Sequence, residues 1–376
     1  MNGQRARRSL PRQTRREFVR LAAGGTVGLA LACGPSASPP TPAPATPAAP
    51  ATSAPVAAPT GPRAPDVVRR GTLRGISFGA VIARERGYFA DMSIDDQETV
   101  FGSGAEMTQA LAAGQIEVGA TSNTGAFFNA LARGIRQPFV LDIWHLERGD
   151  PSWMVVVRPD LADQIKQASD LRGRVNALAS PVREGGISFL AKRVCDSVGL
   201  TLDDVQWERL TYPDMLPALA NRAVEVAWMI EPFIALGKQR GLLTPWLPLG
   251  DYDPGFQGAG IVFSESFIKD RNAVAKRWSV GYVRGLRDQY EFTTRGKDRD
   301  VIGPLLAAYA GLPAEVADQV AWGPVSPDGR LNVESVLESQ RQLLEWGTIT
   351  QLLPAEQLVD PQFAEYAVQQ LGPYRA

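Results

Sequence analysis

The segment MTQALAAGQIEV, residues 107–118, returns at residues 215–226 as MLPALANRAVEV, with Met, Ala-Leu-Ala, Glu and Val at the same offsets. The same shift aligns Asp95-Asp96 with Asp203-Asp204 and Glu106 with Asp214, so the match is a segment and not a word. Self-similarity of this kind constrains a fold before any local reading does. Each copy reads as a strand, a short loop, a helix and a second strand. Helix-then-strand units are common in α/β chains, and the length of the match is what points to two related lobes.

The body of the chain agrees. Strand-like runs alternate with helix-like ones, the first set near 73–78, 94–101, 116–121, 139–144 and 153–157. A second set lies near 175–179, 205–210, 224–229, 243–247 and 260–263. Alternation of this type predicts an α/β fold of two lobes, each a parallel-rich sheet flanked by helices. Ile187, Leu190, Ala191, Val194, Cys195 and Val198 share one helical face. From Ser264 onward the pattern is helical, with Val274, Trp278, Tyr282 and Leu286 on one side of a long helix and Val333, Val336, Leu337, Leu343 and Leu344 in a later one.

The chain's start has a different character. Arginines lead into Arg15-Arg16-Glu17-Phe18, and a short apolar run, LAAGGTVGLALA, ends at Cys33. A basic start, an apolar run of about 12 residues and small residues at its end make an export signal, too short to span a bilayer. The paired arginines resemble the twin-arginine export motif. Cys33-Gly34 resembles a lipoprotein cleavage site, although Ala30 stands where Leu is usual. Lipidation of Cys33, a palmitate-bearing anchor, suits the adjoining segment, since residues 34–65 are mostly Pro, Ala, Ser and Thr and should form an extended spacer.

Without residues 1–32, which hold seven Arg and one Glu, 32 basic and 39 acidic residues remain, a net charge of −7. This balance argues against nucleic acid as a partner. The two cysteines, Cys33 and Cys195, support neither a disulfide framework nor a thiolate metal site, and Cys195 reads as core. His145, the single histidine, has no second histidine or cysteine with which to share a metal. No metal or cofactor is expected.

Five stretches resemble one family. They are Ala83-Arg84-Glu85-Arg86-Gly87-Tyr88-Phe89, Ala110 to Gly119, Asp170 to Val175, Gly199 to Val205 and Glu231-Pro232. Together they are similar to the solute-binding proteins of ABC importers for nitrate, sulfonate, taurine and thiamine precursors, and cover roughly 73–240 in the expected order. The resemblance implies a two-lobed periplasmic-type binding protein that closes on a small molecule by hinge bending and hands it to a permease and its ATPase. The export signal and lipid tether, read independently, suit that role, and a monomer is expected. The domains expected are a signal over 1–32, an anchor and linker over 33–65, lobe 1 over 66–154, lobe 2 over 155–255, and a return to lobe 1 with C-terminal helices over 256–376.

Ligands of open parallel sheets sit beyond the carboxyl ends of the strands. In the first lobe this nominates Phe78 as a cover for a ligand face, and Ser103, Gly104, Ser122 and Asn123 as donors at helix starts. In the second it nominates Arg183 as an anion partner, Gly185 for close backbone approach, and Tyr212 and Glu231 as groups facing the first lobe. Trp153 and Phe256 flank the two lobe crossings and are placed to stack on a planar ligand. Each has a structural alternative: core packing for the aromatics, helix capping for the hydroxyls, solvation for Arg183 and a helix-dipole role for Glu231. One candidate cation against four aromatics favours a planar heteroaromatic ligand, riboflavin or a thiamine pyrimidine, over a sulfonate, taurine or nitrate. A pyrimidine synthase related to the same family, which uses its own histidine and a cysteine-rich iron motif, is disfavoured, because this chain has one His, one Cys beyond the signal and no such motif, and because it carries an export signal.

Overall fold

The computed structural model describes residues 64–73, 76–101 and 104–375. Among the described residues ten strands form two five-stranded sheets. The first holds β1 (Asp66–Thr72), β2 (Ile94–Val100), β3 (Val118–Ser122), β4 (Phe139–Trp144) and β10 (Ala259–Phe263), in the order β2-β1-β3-β10-β4. The second holds β5 (Trp153–Val157), β6 (Val175–Leu178), β7 (Gln206–Arg209), β8 (Val226–Ile230) and β9 (Thr244–Pro248), in the order β7-β6-β8-β5-β9. β1 pairs parallel with β2 and β3, and β6 pairs parallel with β7 and β8. β10 and β5 run antiparallel to both of their neighbours.

The two sheets therefore have one plan, and the sequence repeat lies within it. Helices of seven residues or more among the described residues are α1 (Phe78–Glu85), α2 (Gly104–Ala112), α3 (Gly125–Ala132), α4 (Ile187–Asp196), α5 (Tyr212–Ala220), α6 (Phe233–Gln239), α7 (Asn272–Arg295), α8 (Arg299–Ala310), α9 (Val333–Glu345) and α10 (Gln362–Leu371). α2 and α5 occupy equivalent places in the two copies, and so do β3 and β8. The antiparallel strand of the second sheet, β5, is the first of that sheet in sequence, whereas β10 joins the first sheet only after the second is complete. The backbone passes from β4 to β5 into the second sheet and returns from β9 to β10.

β1 lies earlier than the strand expected over 73–78, and Phe78 opens a helix instead. The cause is a buried charge. Arg70, 1% exposed, is enclosed in β1 by Asp96 at 2.9 Å and Glu98 at 2.7 Å, both on β2. Trp278 Nε1 also donates to Asp96, at 2.9 Å. Burial opposes the guanidinium charge, but the two carboxylates outweigh it and raise the Arg70 pKa. A polar strand held this way cannot be recognised by hydropathy.

α7 closes the first lobe by lying on α1 at very short range. A Cβ on Gly285 would sit 2.1 Å from the carbonyl oxygen of Gly79, so only glycine permits this approach. Val274, Trp278, Tyr282 and Leu286 are buried along this helix as their spacing predicts. Two apolar residues depart from expectation. Val198 lies beyond the end of α4 and is 38% exposed, and Leu344, next to the inward Leu343, is 37% exposed.

Candidate ligand cleft

Between the sheets lies a cavity of about 450 Å³. Its walls come from the ends of β3, β6, β7 and β8, from the start of α1, and from segments on both sides of the two crossings. This is where the carboxyl ends of parallel strands meet helix starts, the usual location for a ligand in open α/β sheets.

Six of the nominated residues line it: Phe78, Gly104, Ser122, Trp153, Tyr212 and Glu231. Trp153 begins β5 and stacks on Trp144 at the end of β4, centroids 4.3 Å apart and planes 28° apart. Tyr212 opens α5 and stacks on Phe233 at 6.1 Å. Burial pushes the Tyr212 phenol well above its ordinary range. Phe78 meets Trp322 edge-on at 5.0 Å.

Glu231 carries the main electrostatic feature. Burial raises its carboxyl from 4.5 to about 7, against the backbone N–H groups of Ala235 and Ala321 that favour the charged form. Ala235 donates to it at 2.9 Å and Ala321 at 3.3 Å. Ala235 lies in α6 of the second lobe, whereas Ala321 precedes Trp322, which packs with α1, α7 and α8 of the first. One carboxyl group thus touches both lobes.

The other nominated residues fall elsewhere. Asn123 is fully buried and turns from the cavity, its Nδ2 donating to the Gln257 carbonyl at 3.1 Å and to Ser339 Oγ at 2.6 Å. Arg183 points outward and pairs with Asp203 at 2.7 Å, because its loop turns with φ +67°. Gly185 lies against the first lobe rather than the ligand space: it bridges to Thr124, and a Cβ there would sit 2.6 Å from the Asn123 carbonyl oxygen. Phe256 is 2% exposed and packs edge-on to Phe189 at 6.1 Å. Ser103 and Cys33 lie outside the described residues.

The cavity also uses residues that the repeat could not reveal. Trp144, Arg209, Ser77, Gln289 and Trp322 line it. Arg209, at the carboxyl end of β7, is exposed, and its side chain makes no ion pair or hydrogen bond among the described residues. Its position at a strand end is a signal that sequence reasoning had available. Gln289 and Trp322 come from the helical C-terminal part, which has no repeated counterpart.

His145 is outside the lining. Its Nδ1 lies 3.1 Å from Asp142 Oδ2 and its Nε2 3.4 Å from Glu147. Cys195 is buried in the second lobe, where desolvation pushes its thiol up to about 12. Among the described residues no group of His, Cys, Asp and Glu has the arrangement to hold a metal ion.

Comparison with known proteins places this geometry. A family model described as NMT1/THI5 like matches residues 77–291. No curated protein matches the chain. The periplasmic aliphatic sulphonate binding protein SsuA from Escherichia coli is similar in structure, with TM-score 0.59 and 21% identity over 75% of this chain and 92% of that one. The periplasmic nitrate-binding protein NrtA from Synechocystis is similar with TM-score 0.65 and 10% identity, over 82% and 89%. A DszB variant in complex with biphenyl-2-sulfinic acid is similar with TM-score 0.56 and 15% identity, over 81% and 99%. At these identities the three likenesses establish the fold.

Proposed function

The chain belongs to the NMT1/THI5-like family, and we propose that it is the extracytoplasmic solute receptor of an ABC importer, binding a small planar heteroaromatic molecule such as riboflavin or a thiamine pyrimidine. The observation that carries this reading is the cavity itself, about 450 Å³ with Trp144, Trp153, Tyr212, Phe78 and Trp322 in its walls. Aromatic side chains at offset-stacked or edge-on angles suit a flat ring, and a few polar groups then fix its orientation.

The delivery route is part of the proposal. The signal over residues 1–32 and a lipid on Cys33 hold the body outside the cytoplasm, the 33–65 spacer gives it reach, and a permease with its ATPase receives the ligand. Closure is a hinge motion of segment 155–255 against 66–154 and 256–376, through the two crossings. No helix among the described residues is long and apolar enough to cross a membrane.

A binding role without turnover is supported by where the reactive side chains lie. His145 is engaged by Asp142 and Glu147, and Cys195 is in the second-lobe core, so neither borders the cavity. DszB is described as a desulfurization enzyme, which makes turnover worth measuring directly. A second reading, a sulfonate or nitrate receptor, is favoured by Arg209 in the lining, a cation with no acid partner among the described residues.

A thermal-shift screen tests both. Riboflavin or 4-amino-5-hydroxymethyl-2-methylpyrimidine should raise the melting temperature, because a ligand that binds only the folded state stabilises it. A shift with taurine, alkanesulfonates or nitrate alone would replace the first reading by the second.

A further inference from the structure

Three polar side chains in the cavity wall have an atom that the protein does not use. Ser77 Oγ, Gln289 Oε1 and Trp322 Nε1 are buried without a hydrogen-bond partner among the described residues. The residues are 2%, 2% and 9% exposed. Leaving one such group unpaired costs about 1–3 kcal/mol, and native proteins keep few of them. Three in the wall of one cavity therefore point to a partner from outside the chain.

They converge on the start of α1. Ser77 precedes that helix with φ +63° and its hydroxyl does not cap it. Trp322 packs edge-on to Phe78, the next residue. Gln289 lies one turn beyond Leu286, whose Cδ2 would be 2.8 Å from a Cβ on Gly79. Glu231 adjoins the group through the N–H of Ala321.

The chemistry of these atoms restricts what can bind. An indole N–H only donates, a carboxamide oxygen only accepts, and a hydroxyl does both. None is a cation, and a carboxyl group stands beside them. A sulfonate or nitrate directed at this end would find the indole N–H and the hydroxyl, but also a carbonyl oxygen and a carboxyl group, and no cation among the three residues to balance its charge. Arg209 belongs to the other sheet, at the end of β7.

Resting on the solute-receptor reading above, we infer that Ser77, Gln289 and Trp322 are the specificity-determining residues of the cleft, and that they select a neutral ring edge carrying both a donor and an acceptor, as in a lactam or an aminopyrimidine. Gln289 Oε1 accepts from the ring's N–H, Trp322 Nε1 donates to its carbonyl or ring nitrogen, and Ser77 completes the set. The three atoms are buried in this structure, so the ligand reaches them through a local rearrangement of the cavity wall.

Isothermal titration of the purified chain with riboflavin, 4-amino-5-hydroxymethyl-2-methylpyrimidine and benzenesulfonate tests this, with the variants Gln289→Leu and Trp322→Phe. The wild-type protein should bind one of the heterocycles, and each variant should weaken it about tenfold or more at a melting temperature no lower than wild type, since each replaces an unused polar atom by an apolar one. Ser77→Ala, which removes a hydroxyl and little bulk, is the comparison where either larger change lowers the melting temperature, and it should weaken binding too. A heterocycle bound with equal affinity by the wild type and the variants overturns the inference and leaves the planar-ligand reading standing. Binding of benzenesulfonate alone, or of no heterocycle, overturns both.

Discussion

Trp144 and Trp153 stack 4.3 Å apart although one ends the first sheet's edge strand and the other begins the second sheet's antiparallel strand. The pair brackets the first crossing and forms part of the cleft wall, so the segment that joins the lobes also presents aromatic surface to the ligand.

Trp153→Ala should therefore affect binding and stability together. The stacked pair contributes about 1 kcal/mol beyond area burial, and a flat ligand loses one face of its contact. The expected outcome is a Kd for riboflavin raised roughly tenfold, read by titration, with a fall of a few degrees in melting temperature.

The pH dependence should come from Glu231. Its folded-state pKa, about 7, lies above the ordinary 4.5, so its contribution favours folding at acid pH and is lost as pH rises through 7. Glu231→Gln removes this dependence, and its melting temperature relative to wild type should rise between pH 5 and pH 8. Affinity for a ligand that donates an N–H to this carboxylate should increase over the same range in the wild type and stay level in the variant.

Asp96→Ala should be among the most damaging single changes in the first lobe. It deprives the buried Arg70 of one of its two acids and leaves Trp278 Nε1 without its acceptor. Breaking such a pair costs about 3–5 kcal/mol, measurable as a lower urea midpoint.

Gly185→Ala should act on closure. The added Cβ falls 2.6 Å from the Asn123 carbonyl oxygen on the opposite lobe, at φ +107°. Strain of about 1–3 kcal/mol incurred on closing corresponds to a roughly five- to hundredfold weaker ligand. Small-angle scattering with saturating ligand should show a larger radius of gyration than wild type.

The parts of the fold legible in the sequence are those with a clear periodicity of apolar residues. Phe139–Trp144 and Trp153–Val157 match expectation to the residue because the second is a continuous apolar and aromatic run and the first is one broken only by Asp142. β1 escapes such a reading because its sequence, DVVRRGT, places a charge inside, and the Asp96 that neutralises it lies on another strand. The equivalence of α2 and α5 locates Gly104 and Tyr212 in the cleft. The same shift places Asn123 beside Glu231, but the Asn123 side chain is drawn inward by Gln257 and Ser339. Gln289 and Trp322 are invisible to this reasoning, because they belong to the part of the chain outside the duplicated unit.

The late arrival of β10 gives the two lobes unequal dependence on the length of chain synthesised. The sheet of residues 153–248 is complete within one uninterrupted stretch, whereas the other waits for residue 263, and for α7 to cover α1. A nascent chain ending near residue 250 would hold one finished half and one with an exposed strand edge. Truncated products should for this reason be captured by chaperones or degraded through their N-terminal half.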